Sequence, residues 1–198
     1  MKENFEKVFQ FRIELIGSNP PIWRQIQVPE TYSFWDLHVA IQNAMGWEDC
    51  HLNEFRIKNP KNGWMDEIGI PMEDSDDDEI ISEWEAHISD YFSKSNRKGL
   101  YIYDFGDEWR HLIKLEKVIA KEENVIYPVC IAGERACPPE DCGGIYGYEE
   151  ILRALKNPKS KRYKEIKEWL DPDFDPEYFD IKEIKFYDPE KHRRNVLR

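Results

Sequence analysis

The sequence predicts an α+β protein with a mainly antiparallel sheet, built from two hairpins over about residues 8–28 and 100–118, with helices packed on one face. In both stretches apolar and polar residues alternate, and turn residues interrupt the alternation near its middle. Helical periodicity is confined to separate segments, chiefly after residues 33 and 148. Because strands and helices are segregated along the chain, an antiparallel sheet is favoured over regular βαβ units.

The first hairpin is predicted from the alternation over residues 8–16. Its apolar face carries Phe9, Phe11, Ile13 and Leu15, which is typical of a half-buried strand. Residues 17–21 are turn residues, and a second strand over residues 22–28 ends before a proline.

A helix is predicted to begin after Ser33, because Asp36 lies three residues later as a capping-box partner. Apolar residues recur at helical spacing through Leu37 and Ile41, and Gly46 is a suitable C-cap. A further strand is expected over residues 51–57.

The formal charge of −12 is concentrated in one segment. Residues 66–90 contain 11 acidic side chains and no Lys or Arg, so we expect an exposed acidic loop there, with a short helix around residues 83–92. The spacing of Asp74, Asp76 and Asp78 is similar to that of a calcium loop, but Glu79 occupies the position at which such a loop needs glycine. A solvated acidic loop is therefore favoured.

The second hairpin is predicted from two β-rich runs, residues 100–105 and 109–118. Gly106 and Asp107 lie between them and are expected to supply the positive φ of a tight turn.

The C-terminal part of the sequence is predicted to be a helical extension, residues 157–198, of a single domain that covers residues 1–198. A loop rich in Gly, Pro and Cys over residues 133–147 precedes helices expected at residues 148–155 and after Ser160. Residues 181–186 have the pattern of an edge strand, and the chain after Pro189 is expected to fray.

The composition restricts the protein's surroundings and its partners. No run approaches the roughly 18 apolar residues that a membrane helix needs, and the first residues lack the apolar region of a signal peptide. Four cysteines fit a reducing compartment, so a cytoplasmic protein is expected, with no membrane partner. The negative charge disfavours general nucleic-acid binding.

Several motifs occur in one order along the chain: residues 21–24 (PIWR), 45–47 (MGW), 101–111 (YIYDFGDEWRH), 133–144 (GERACPPEDCGG) and 147–148 (GY). In this order they resemble the plasmid pRiA4b ORF-3-like family over about residues 8–156. The resemblance implies an α+β fold. Some members travel with mobile elements and carry a loose resolvase label, which implies an accessory role on nucleic acid. The residues do not favour recombinase chemistry, because none of the five histidines has an arginine three residues later.

Asp104, Asp107 and His111 are the candidate catalytic residues. In the predicted hairpin Asp104 and His111 lie in apolar phase near the turn, so a carboxylate could orient the imidazole as a general acid/base or metal-ligating pair. The alternative is structural: an aspartate accepts hydrogen bonds from backbone amides in the turn, and His111 is a core histidine.

Cys130, Cys137 and Cys142 are candidate metal ligands, and zinc is the cofactor they would suit. Their C-x6-C-x4-C spacing differs from a zinc knuckle, and a fourth ligand would come from His51, His111 or Cys50. The alternative is a rigid loop that contains inert thiols.

A binding surface is predicted from aromatic side chains together with the Gly/Pro/Cys-rich loop. Its candidate residues are Trp23, Trp47, Trp109, Glu140, Asp141, Gly143 and Gly144, and Trp35 is a further aromatic anchor. The favoured function is a non-catalytic binding or adaptor domain for a protein or small-molecule ligand. The alternatives are a zinc-type metal-dependent hydrolase that uses Asp104, Asp107, His111 and the cysteine loop, and, with less support, a mobile-element accessory protein.

Overall fold

The computed structural model describes residues 5–71 and 80–196 and contains one eight-stranded sheet. The strands are β1 Lys7–Leu15, β2 Trp23–Pro29, β3 Asn53–Lys58, β4 Met65–Gly69, β5 Ile81–Ser82, β6 Lys98–Tyr103, β7 Trp109–Ala120 and β8 Val129–Glu134. Their order across the sheet is β5-β4-β3-β6-β7-β1-β2-β8. Every neighbouring pair is antiparallel except β4 and β5. The α+β prediction is confirmed.

Within these described residues five helices pack with the sheet: α1 Phe34–Met45, α2 Ile88–Tyr91, α3 Gly144–Leu155, α4 Lys161–Lys167 and α5 Pro189–Val196. A 3-10 turn lies at Ile181–Glu183. In the part of the chain that the structure describes, every helix is too short or too polar to span a lipid bilayer.

The two faces of the sheet differ in polarity. The alternating apolar residues of β1 are buried in the core together with residues of α1, as the pattern predicts. The opposite face carries a glutamine network, in which Gln27 Nε2 donates to Gln10 Oε1 at 3.1 Å and Gln10 Nε2 donates to Glu116 Oε2 at 3.2 Å. The helices therefore cover one face and leave the other polar.

Helix α1 begins and ends as the sequence predicts. The Ser33 hydroxyl accepts from the Asp36 amide at 3.2 Å, and the Ser33 amide donates to the Asp36 carboxylate at 2.8 Å. Gly46 has a φ of 94°, and its amide closes the helix on the Gln42 carbonyl at 2.8 Å.

The acidic segment is more ordered than predicted, because Met65–Gly69 is a strand paired with β3. Ile68 is fully buried opposite Phe55, whereas the neighbouring Glu67 faces outward, 3.4 Å from Arg56 Nε. Glu83 is also fully buried and accepts from Asn53 Nδ2 at 2.9 Å. Residues 72–79, which include the aspartates with calcium-loop spacing, lie outside the described residues.

The second hairpin is present, but its turn differs from the predicted one. The positive φ angles are at Asp104 (56°) and Glu108 (51°), not at Gly106 and Asp107. Asp104 tolerates this conformation because its own carboxylate accepts the Gly106 amide at 2.9 Å, which gives an Asx turn.

The C-terminal segment folds back onto the rest of the molecule. The predicted edge strand over residues 181–186 is wrong, because Ile181–Glu183 is a 3-10 turn, residues 184–186 have no regular secondary structure, and the apolar side chains of the segment pack on the core. Phe179 lies over Gly133 of the edge strand β8, where a Cβ atom would be 2.5 Å from its ring. The predicted fraying after Pro189 is also wrong, because α5 is held by the indole of Trp35, which donates to the Pro189 carbonyl at 2.9 Å.

Candidate functional site

Three connecting segments meet beside the second hairpin: residues 46–52 after α1, the hairpin turn at residues 104–108, and residues 135–143 before α3. The Asp104 amide donates to the Leu52 carbonyl at 2.9 Å, which joins the first two segments. The Glu48 amide donates to Glu140 Oε1 at 2.8 Å, which joins the first and the third. Hydrogen bonds from the backbone therefore position the side chains that these segments carry.

Asp107, Gly143 and Gly144 hold the turn against the start of α3. Asp107 Oδ2 accepts the Gly143 amide at 3.0 Å, so the turn supplies the side-chain cap that the residue before α3 does not. A Cβ atom at Gly144 would lie 2.4 Å from the Asp107 carbonyl oxygen. This close approach requires glycine and gives all three residues a structural role.

His51 stands at the centre of what we call the carboxylate cluster: His51, Asp104, Glu140 and Asp141. Its Nε2 atom lies 3.1 Å from Asp141 Oδ1, 3.7 Å from Asp104 Oδ2 and 3.9 Å from Glu140 Oε2. The backbone at Asp104 and Asp141 has positive φ, an uncommon conformation that turns both residues sharply.

The electrostatics of the carboxylate cluster are unbalanced. His51 Nε2 is closed off from solvent and has no hydrogen-bond partner of acceptable geometry among the described residues. In the described part of the chain, His51 is the sole basic side chain that pairs with Asp104, Glu140 or Asp141. Burial raises the pKa of Glu140, which also accepts from the Tyr103 hydroxyl at 3.3 Å.

The spacing of these atoms suits coordination of a cation. His51, Asp104 and Asp141 each offer one ligand atom within 4.8 Å of the others, and they are the one such group among residues 5–71 and 80–196. Ligand atoms bound about 2.1 Å from a tetrahedral ion lie roughly 3 to 4 Å from one another, and His51 Nε2 lies at such distances, 3.7 Å and 3.1 Å, from the oxygens of Asp104 and Asp141. One imidazole with carboxylate oxygens forms a mixed N/O site of the kind that divalent transition ions accept.

Cys130, Cys137 and Cys142 do not form a comparable group in the described part of the chain. Cys130 is buried in β8, where its thiol donates to the Ala132 carbonyl at 3.3 Å. Burial raises the pKa of Cys137, and it raises the pKa of Cys142 to about 12. All four cysteines of the chain are free. The thiols of Cys137 and Cys142 are therefore protonated at neutral pH in the metal-free chain, and the one group of three possible ligand residues among residues 5–71 and 80–196 contains no cysteine.

Comparison with known proteins places this fold in a family. Residues 7–183 match the family described as plasmid pRiA4b ORF-3-like protein. The chain belongs to the pRiA4b ORF-3-like family. The match confirms the resemblance seen in the sequence motifs, and it includes most of the segment that follows residue 156.

Two relatives of this pRiA4b ORF-3-like chain show how far the likeness extends. It is 33% identical over 162 residues to the uncharacterized protein y4hQ of Sinorhizobium fredii (strain NBRC 101917 / NGR234). That match covers 82% of this chain and 80% of y4hQ. The chain is 50% identical to the crystal structure of MM3350, a protein of unknown function from Methanosarcina mazei Go1, with a TM-score of 0.88. That match covers 92% of this chain and 100% of the other. Both relatives are described as proteins without a known function.

His111 does not form the predicted pair with a carboxylate. It is fully buried among aromatic rings, 5.2 Å from the ring centre of Trp47 and 5.5 Å from that of Tyr101. Burial lowers its pKa to about 3, so the imidazole is neutral at physiological pH. Its burial fits the core-histidine alternative, but neither ring nitrogen has a hydrogen-bond partner among the residues that the structure describes.

The tryptophan candidates have different environments. Trp109 is 1% exposed in the core and offers no binding surface, which corrects that expectation. Trp47 stacks on Tyr103 at 5.1 Å and donates to the Pro138 carbonyl at 3.0 Å. Trp23 lies on the polar face of the sheet, with the Arg12 guanidinium 3.9 Å from its ring centre. Trp35 is buried beneath α5.

A second histidine–carboxylate cluster, which we call the Asp49 clasp, was not predicted from the sequence. Asp49 Oδ1 lies 2.9 Å from His38 Nε2, and Asp49 Oδ2 lies 2.6 Å from His192 Nε2. On its other side, His38 Nδ1 lies 2.8 Å from the Tyr101 hydroxyl, which also accepts from Gln42. In the sequence, the one sign of this cluster is a histidine, His38, on the otherwise apolar face of the predicted helix.

Proposed function

We propose that this chain is a non-catalytic binding domain that takes up a zinc-type divalent cation. In this proposal His51, Asp104 and Asp141 coordinate the ion, and Glu140 completes or stabilises the set. The observation that carries the proposal is the convergence of three carboxylates, at 3.1 to 3.9 Å, on one imidazole nitrogen that has no other partner within residues 5–71 and 80–196. A cation in their midst would neutralise the mutual repulsion and satisfy the nitrogen.

The proposal treats the site as one for binding because the thiol of the neighbouring Cys50 is not activated as a nucleophile. Burial and the nearby acids Glu140 and Glu48 raise the pKa of Cys50, so its thiol stays protonated at neutral pH. The zinc-type hydrolase has less support, because the side chains of His111, Cys137 and Cys142 lie outside the carboxylate cluster.

We also propose the compartment and the classes of partner that the sequence favours. Four free thiols support a cytoplasmic protein. The net charge of −12 supports a protein or small-molecule partner over nucleic acid.

Calorimetric titration of chelator-treated protein tests the cation site. We expect about one equivalent of Zn²⁺ to bind, with Mn²⁺ weaker and Mg²⁺ weakest, following the order for a site that contains imidazole. D104N and D141N should each weaken Zn²⁺ binding at least tenfold, because each removes one charged ligand and retains the size of the side chain.

The control is E108Q, an exposed residue of the same turn that pairs with Arg110 at 2.6 Å. It should bind Zn²⁺ as the wild type does, and far-UV circular dichroism should be unchanged in all variants. If C137S/C142S lost Zn²⁺ binding while D104N and D141N retained it, the cysteines and not the carboxylates would be the metal ligands, and the proposal would be refuted. Absence of binding by the wild type would also refute it.

A further inference from the structure

A large cleft lies between the C-terminal end of α1, residues 136–140 and the C-terminal segment 169–187. Its volume is about 870 Å³, within the range of sites that enclose a ligand or a short peptide segment. We call it the aromatic cleft, after the side chains that line it: Trp47, Trp169, Phe174, Tyr178, Phe179 and Tyr187.

The aromatic rings at the rim are unusually exposed. Trp169 is 52% exposed, Tyr178 50% and Tyr187 65%. Single exposed aromatics are common, but three around one concavity mark a site of interaction. The aromatic cleft therefore offers π faces to whatever enters it.

The charge of the aromatic cleft is negative. Five carboxylates line it against two basic residues, Arg24 and Lys185; the acids are Glu48, Glu140, Asp171, Asp180 and Glu183. The C-terminal end of α1 also faces the cleft, and no basic residue lies in the last turn of that helix. The negative end of that helix dipole is already met by Arg24, which donates to the Ala44 carbonyl, so the preference of the cleft for a cation over an anion rests on the five carboxylates.

Arg24 is already engaged and cannot serve as an anion receptor. It is 3% exposed, and it donates to the backbone carbonyls of Ala44 at 2.8 Å, Trp23 at 2.9 Å and Glu134 at 3.0 Å. Its guanidinium lies 4.3 Å from the ring centre of Phe179. The wall of the cleft thus already stacks one guanidinium on an aromatic ring, which is the geometry that a second cation would use.

We propose that the aromatic cleft binds an arginine or lysine side chain presented by a short, partly apolar segment of a partner protein. The cation would lie among the rim aromatics and the carboxylates, and apolar neighbours would contact the exposed rings. This inference goes beyond the cation site in the carboxylate cluster, because Glu140 is the one residue that belongs to both.

Calorimetry with matched peptides tests the inference at 150 mM salt. The probe is an acetylated, amidated five-residue peptide with a central arginine between two leucines, and the matched peptide has glutamine in place of the arginine. We expect the arginine peptide to bind at least tenfold more tightly than the glutamine peptide. Loss of the ring in W169A should weaken the binding at least fivefold.

Removing charge from the rim should have a similar effect. D180N/E183Q should weaken binding of the arginine peptide at least fivefold. In the wild type the Lys182 amide donates to Asp180 Oδ1 at 2.9 Å. D180N keeps a side-chain oxygen that can accept this hydrogen bond, so the local turn is retained. Two controls lie outside the cleft: W64A, at a tryptophan that is 75% exposed, and E122Q/E123Q, at exposed acids of another loop. Both should bind the peptide as the wild type does.

The outcomes separate this inference from others. Equal binding of the two peptides, or equal weakening by the controls, would show general attraction to an acidic chain and would overturn it. Binding of spermidine without binding of the peptide would replace the protein partner with a free polyamine and also overturn it. Zn²⁺ binding by the wild type is measured separately, so failure of the aromatic cleft leaves the proposed cation site intact.

Discussion

The Asp49 clasp and the carboxylate cluster are built from the same residue types, and their central residues are two positions apart in the chain. In the clasp each oxygen of Asp49 has its own imidazole, at 2.9 Å and 2.6 Å. In the carboxylate cluster three carboxylates face a single nitrogen of His51. Because donors and acceptors are balanced in the Asp49 clasp, it stabilises the fold. The carboxylate cluster has an excess of negative charge and is therefore suited to bind a cation.

The pKa values in the clasp follow from this balance. Burial alone would lower the pKa of His38, but the hydrogen bond and negative charge of Asp49 outweigh it and leave that pKa raised. Burial likewise opposes ionisation of Asp49, yet its two histidine partners lower its pKa. The pair therefore stays ionised over a wider pH range than the free side chains would.

The largest expected effect comes from removing Asp49. D49A should lower the free energy of unfolding by about 3 to 5 kcal/mol, because it leaves His38 buried without its charge partner. Urea denaturation followed by tryptophan fluorescence measures this. D141N, in the carboxylate cluster, removes the charge and keeps a residue that tolerates the positive φ at this position, so it should alter the free energy by less than about 0.5 kcal/mol, since that side chain is 75% exposed. Equal losses in the two variants would remove the distinction between the clusters.

An intermediate effect is expected from His111, a buried histidine that has no carboxylate. Its folded pKa, about 3, lies below the unfolded value of about 6.5, so the unfolded chain binds more protons between these limits. The contribution of neutral His111 to the free energy of unfolding is therefore fully present above about pH 6.5. Below that pH it falls by up to about 1.4 kcal/mol for each pH unit. H111F should flatten that slope in urea denaturation at pH 7, 6 and 5. Parallel slopes for the two proteins would contradict the neutral-core assignment.

The smallest effect is expected from the outer partner of the clasp. H192A should cost about 1 kcal/mol, because His192 is 31% exposed and water can replace its hydrogen bond to Asp49. H87A, at an exposed histidine, is the control and should be neutral. A loss as large as that of D49A would mean that docking of α5, and not the buried His38 pair, holds the clasp.

Local patterns were sufficient for much of the fold. Alternation in β1 and the Ser33–Asp36 box predicted elements that are stabilised by their own residues, and the structure confirms them. Strand β4 was missed because Ile68 is its one fully buried apolar residue, and pairing with β3 supplies the rest of its stability. Helix α5 was missed for the same reason, since its anchors Trp35 and Asp49 lie far away in sequence.

The sequence predicted most residues of the candidate site but not that they lie together. Asp104, Glu140 and Asp141 were each selected from their motifs, whereas His51 was weighed as a partner for cysteines. The sequence does not show that residues 46–52 pass between the hairpin turn and residues 135–143, because that contact depends on hydrogen bonds such as that from Glu48 to Glu140. Nor does it show that Asp49 points away from its neighbour His51, which requires the positive φ of 59° at Asp49.

The covering of strand β8 by the C-terminal segment has a practical consequence for protein production. An uncovered edge strand exposes unpaired amide and carbonyl groups to strands of other molecules and promotes aggregation. A chain cut at residue 156 would lose Phe179 from above Gly133 and the 3-10 turn from beside β8. Expression boundaries chosen from the sequence motifs alone would thus yield insoluble protein, and the segment up to residue 187 belongs in every shortened form.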